Sequence, residues 1–120
     1  SVGEAPPPDV EVKNIGMHIG GGPNDAVTKG PIKRSVDPHM TELGACFAKA
    51  EDQEKGGDVS VDLRIEAAGG KAELKKYKSA IAGAAFRGCV ETVFRTIEFE
   101  KPKTGATVVS YSLRFTPKKK

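Results

Sequence analysis

Asp58-Val59-Ser60-Val61-Asp62-Leu63-Arg64-Ile65-Glu66-Ala67 sets its apolar side chains on one parity and its polar ones on the other. The alternation predicts a strand over residues 58–67 with one buried and one wet face, as in an antiparallel sheet. Gly69-Gly70 follows and can supply the positive φ angles of a tight hairpin, so residues 71–78 are expected to pair back onto that strand. This second strand has only Ala72 and Leu74 as its main apolar residues, and its lysines suit a sheet edge. Phe86, Cys89, Val90, Val93, Phe94 and Ile97 then recur at three-and-four spacing, which predicts a helix whose apolar stripe covers a sheet face. Arg87, Glu91 and Arg95 fall on its far side. After a turn at Lys101-Pro102-Lys103-Thr104-Gly105, Val109, Tyr111, Leu113 and Phe115 alternate with Val108, Ser110, Ser112 and Arg114, predicting a last strand over residues 107–115.

Upstream, Asp37 is a good N-cap and Pro38 suits a first helical position, where a missing N–H costs nothing. Met40, Leu43, Cys46, Phe47 and Ala50 share one face of the helix that follows, which Glu51-Asp52-Gln53-Glu54-Lys55 and Gly56-Gly57 end. Residues 24–34 are ambiguous, because Gly30-Pro31 interrupts a helix there. Val10 and Val12 share one parity while Ile15, Met17 and Ile19 share the other, so a bulge or break is expected near Lys13-Asn14. Gly20-Gly21-Gly22-Pro23 closes that segment. Residues 1–9, with three consecutive prolines, read as the end of a linker from a longer protein; residues 10–117 form the domain, and 118–120 a basic tail.

At 120 residues the chain holds a single core, built without tryptophan from Val, Ile, Leu, Ala and five Phe. A net charge of +3 does not argue for nucleic acid, and exposed aromatics for base stacking are thin, with Tyr77 the one candidate. No stretch approaches the ~18 apolar residues of a membrane span, and Ser1-Val2-Gly3-Glu4 has no signal-peptide character. A zinc site from Cys46, Cys89, His18 and His39 would lack the usual local ligand spacing. The triple glycine lacks the Lys-Ser/Thr of a phosphate loop. Neither histidine stands at a recognisable catalytic spacing from a nucleophile, and Asp58, Asp62 and Glu66 sit on a solvent face where surface charge is the ordinary account. No enzyme and no cofactor are expected. Cys46 and Cys89 lie on the inward faces of two helices, either as small buried hydrophobes or as a disulfide.

The order of these pieces carries a resemblance. Met17-His18-Ile19-Gly20-Gly21-Gly22, Cys46-Phe47, Gly57-Asp58-Val59-Ser60-Val61, Cys89-Val90, the hinge from Ile97-Glu98-Phe99 to Gly105, and Val109-Ser110-Tyr111-Ser112-Leu113-Arg114-Phe115 together resemble the C-terminal domain of TonB-type energy transducers. They are most similar to the AgmX/PglI-type domains of myxobacterial gliding-motility envelope proteins. The similarity covers residues 10–116. It departs from the family where Trp-x-Phe is replaced by Ile97-Glu98-Phe99, in the lysine-rich hairpin, and at Gly30-Pro31.

The resemblance implies an α+β fold: a small antiparallel sheet of three main strands plus a short N-terminal extended segment, with two helices on one face. Residues 58–67 should be central, between the lysine-rich strand and the last strand. It also implies a periplasmic or cell-envelope location, a Cys46–Cys89 disulfide, and a non-catalytic role in a trans-envelope apparatus linked to motility, transport or energy transduction. The expected partner is an envelope protein or extended peptide that adds a strand at the last strand's edge, beside Val108, Ser110, Ser112 and Arg114. Nucleic acid is not expected, and membrane contact would come only through regions outside this chain. The alternative is an anchoring domain of an envelope lipoprotein that touches cell-wall glycan or lipid through its lysines.

Overall fold

The computed structural model describes residues 9–118; the rest of the proposed linker and tail, residues 1–8 and 119–120, lies outside the described residues. In chain order the elements are β1 (Val10–Ile19), α1 (Ala26–Val36), α2 (Met40–Cys46), β2 (Gly57–Ile65), β3 (Gly70–Lys71), β4 (Glu73–Ser79), α3 (Ala84–Thr96), β5 (Glu98–Phe99) and β6 (Thr107–Pro117). Single 3₁₀ turns at Asp37–His39 and Phe47–Lys49 flank α2. The main sheet is antiparallel in the order β1-β6-β2-β4, and β3 pairs with β5 in a separate two-stranded ribbon.

The alternating strands behave as their pattern requires. Val59, Val61, Leu63 and Ile65 of β2 face the core with Val109, Tyr111, Leu113 and Phe115 of β6, all buried. Phe47 next to α2, Phe86 of α3 and Phe115 form an aromatic cluster, the closest pair being Phe86–Phe115 at 5.3 Å between centroids. Helix α3 lays Phe86, Val90, Val93 and Phe94 on that core. On its outer side Glu91 bridges Arg87 (2.6 Å) and Arg95 (3.2 Å), one helical turn away in each direction. Glycine at position 56 is required by space, because a β-carbon there would run into the Phe115 carbonyl.

Several expectations change. A helix does form across Gly30-Pro31. Asp25 caps α1 by accepting the Thr28 N–H at 2.8 Å, which stabilises its first turn. Pro31 removes one interior hydrogen bond, yet it is buried with Ile32, Ser35 and Val36, so packing offsets a cost of about 3 kcal/mol. Ser35 ties the helix down, donating to the Pro31 carbonyl (2.7 Å) and accepting from the Glu100 N–H (3.0 Å). Asp37 ends α1 and, already in helical geometry and so not an N-cap, opens the 3₁₀ turn that leads into α2 at Met40; its side chain pairs with Lys33 at 3.4 Å.

The hairpin after β2 is not tight. Gly69 and Gly70 do take positive φ, but Gly70 and Lys71 pair with Phe99 and Glu98, and pairing with β2 resumes only at Glu73. The N-terminal extended segment is a full ten-residue strand with a bulge between Asn14 and Gly16. The extra residue turns Ile15 outward, where it is 42% exposed, and returns Met17 and Ile19 to the core side.

Tyr111, at the centre of β6, is wholly buried, and its hydroxyl has no hydrogen-bond partner among the described residues. Burial pushes its ionisation well above the ordinary range for tyrosine. Removing an unpaired buried hydroxyl relieves its desolvation cost. Tyr111→Phe is accordingly expected to leave the thermal midpoint unchanged or raise it slightly. A loss of more than about 1 kcal/mol in chemical denaturation would show that the hydroxyl is hydrogen-bonded after all, to buried water or to the Asn14 side chain.

Candidate functional site

The helices cover one face of the sheet and leave the other open. The register sets the side chains of that open face in rows across the strands: Lys13, Arg114 and Asp58; Gly16, Ser112, Ser60 and Lys78; His18, Ser110, Asp62 and Lys76. Most are already committed to one another. Arg114 Nε donates to Asp58 Oδ1 at 2.9 Å, and this hydrogen bond holds the Asp58 carboxyl below its usual range. Ser60 and Ser112 share a 2.8 Å hydrogen bond, and Ser110 Oγ donates to Asp62 Oδ1 at 2.7 Å. In the third row the hydroxyl stands between the imidazole and the carboxylate. A nucleophilic relay instead needs the imidazole in the middle.

The expected docking edge is overturned by the strand order. β6 pairs with β2 on one side and with β1 on the other, so its backbone presents no edge. Ser110 and Ser112 pair with His18 and Gly16, and Arg114 with Lys13. Val108, Ser110, Ser112 and Arg114 do share the open face, but as side chains on an interior strand; Val108 alone remains apolar and 43% exposed.

The edges of the sheet are β4 and β1. β4 is a poor template. Its pairing shifts register at Lys75, and Lys76 and Lys78 stand side by side on its open face. On β1, Asn24 closes the outer edge at Ile19: its Oδ1 accepts the Ile19 N–H at 2.6 Å and its Nδ2 donates to the Ile19 carbonyl at 3.0 Å. The remainder of that edge has no strand partner among the described residues.

Asp9 faces β6, since its carbonyl accepts the Lys118 N–H at 2.9 Å. Antiparallel alternation therefore turns the backbone groups of Val10, Val12 and Asn14 outward. Val10 and Val12 anchor this stretch by packing their side chains on the core, with Gly44 of α2 close against both. Glu11 and Lys13 stand on the opposite, open face. Sequence alternation at Val10-Glu11-Val12-Lys13 gave the two faces; no local signal gave the strand that would occupy the neighbouring slot.

Cys46 and Cys89 form a disulfide between α2 and α3, with Cα atoms 5.6 Å apart, as the resemblance implied. Two open depressions of about 530 Å³ lie at the end of β4, one lined by Gly57, Asp58, Ser60, Lys78, Ser79 and Ala80, the other by residues that include Tyr77 and Arg87. The Arg87 guanidinium sits 4.9 Å from the Tyr77 ring centre there. Both depressions lack the apolar enclosure of a small-molecule site. Among the described residues no cluster of three or more His, Cys, Asp or Glu could hold a metal, and no helix is long and apolar enough to cross a membrane. No protein-family model, no curated protein and no solved structure matches this chain.

Proposed function

We propose that this chain is a non-catalytic interaction module of the cell envelope, built in the manner of TonB-type C-terminal domains, that binds an extended protein segment as an added strand on β1. The observation that carries this reading is the outer edge over Val10, Val12 and Asn14, which has no strand partner among the described residues and is held straight by Val10 and Val12 packed on the core. Strand addition takes its affinity from main-chain hydrogen bonds, so the site needs no dedicated side-chain chemistry. The disulfide fits an oxidising, extracytoplasmic compartment such as the periplasm. In a trans-envelope apparatus linked to motility or transport, such an edge would couple this domain to a partner's extended region.

The test is a titration of the whole chain against an array of immobilised extended peptides. Val12→Pro removes an outward N–H without touching the β1–β6 ladder. It is expected to weaken peptide binding at least tenfold, whereas Val12→Ala, which loses the same core packing but keeps the N–H, should bind within about threefold of wild type, so that the packing cost is separated from the lost donor. A proline at Ser110 or Ser112 is not a fair probe of docking, because it would break an interior ladder. If Val12→Pro binds normally while alanine at Lys71, Lys75, Lys76 and Lys78 abolishes capture on anionic vesicles or cell-wall glycan, the anchoring reading replaces this one.

A further inference from the structure

We infer that the strand which fits the β1 edge is β1 of a second copy, pairing antiparallel about a two-fold axis at Val12; this rests on the reading of β1 as the docking edge. Two independent features fix the same register. The straight part of the strand runs from Val10 to Asn14, where the bulge begins, and its midpoint is Val12. A two-fold there sets Val12 against Val12 of the second copy and Val10 against Asn14. All three have outward backbone groups, so the pairs can exchange about six hydrogen bonds.

The same axis sets Glu11 opposite Lys13 of the second copy, and Lys13 opposite its Glu11. These are non-hydrogen-bonded pairs, whose Cα atoms approach to about 4.5 Å and whose side chains meet most closely. Within one chain Glu11 and Lys13 already lie on one face, 3.6 Å apart, so the dimer would close a ring of alternating charge. The other edge offers the opposite case. Pairing β4 with itself about Lys76 would oppose like charges. The bulge at Ile15 and the Asn24 clamp at Ile19 confine the contact to this short segment, so the association is a reversible one.

Sedimentation equilibrium of the whole chain, from micromolar to millimolar concentration, tests the inference together with amide exchange. Expected is a reversible dimer in which the Val10, Val12 and Asn14 amides gain protection as concentration rises. Glu11→Lys and Lys13→Glu each place like charges across the axis twice, and each should weaken the dimer about tenfold. The double variant E11K/K13E restores complementarity and should recover the wild-type association to within about threefold. All four proteins are compared by circular dichroism, because the substitutions are on exposed positions and should leave the fold intact. A chain that stays monomeric throughout, or a dimer indifferent to the single reversals, overturns the inference. Monomers that still bind peptides in a Val12→Pro-sensitive way overturn the second copy alone. A dimer whose Val10, Val12 and Asn14 amides stay unprotected overturns the docking edge as well.

Discussion

Phe94→Ala is expected to lower the stability of this domain by about 3–5 kcal/mol, and chemical denaturation with a two-state fit will measure it. The ring is fully buried where α3 crosses the sheet, and it meets Tyr111 edge-on at 5.9 Å between centroids. Truncation removes the ring's transfer energy and leaves a cavity between helix and sheet. Neighbouring strands cannot close that cavity without disturbing the register of β2 and β6. For a chain of this size the loss amounts to roughly 10–20 °C in thermal midpoint. Phe94→Leu, which keeps much of the volume, should cost less than half as much. An unchanged midpoint for Phe94→Ala would mean that α3 does not seat this face on the sheet.

What the amino-acid sequence makes legible is whatever depends on local period. The alternation of residues 58–67 and 107–115 and the stripe from Phe86 to Ile97 each bury one face by themselves, although β2 stops at Ile65. The corresponding elements β2, β6 and α3 lie where their periodicity puts them, with the same residues inward. Helix α1 was obscured by a rule that is sound on average. Pro31 does remove a helical hydrogen bond, but the local Asp25 cap and the burial of Ile32 and Val36 outweigh it, and that burial comes from tertiary packing.

The docking edge failed for a different reason. Strand order is set by long-range pairing, and nothing in Val108, Ser110, Ser112 or Arg114 records that β1, roughly a hundred residues earlier, pairs alongside them. The parity switch near Lys13-Asn14 announced the bulge but could not say which neighbour the bulged strand would take. The face of each residue was legible, and the edge was not.

Removing the Cys46–Cys89 bridge is expected to cost about 4 kcal/mol, the chain-entropy value for a link spanning 43 residues of separation. The bond ties α2 to α3 across the core side of the sheet, so without it the unfolded chain regains the freedom of the whole segment between them, β2 and β4 included. The comparison is between wild type and the Cys46→Ala/Cys89→Ala variant, each with and without reductant. Oxidised wild type should be the most stable of the four. Reductant should lower it towards the double variant, which reductant itself should leave unchanged. This difference separates the cross-link from simple loss of packing, because Cys46 is fully buried and its truncation carries a small packing cost of its own. Intact mass after alkylation without reductant gives the second check: the oxidised protein should take up no label. Two freely labelled thiols in protein recovered from its native compartment would overturn the bridge, and with it the main physical support for placing this module in an oxidising envelope.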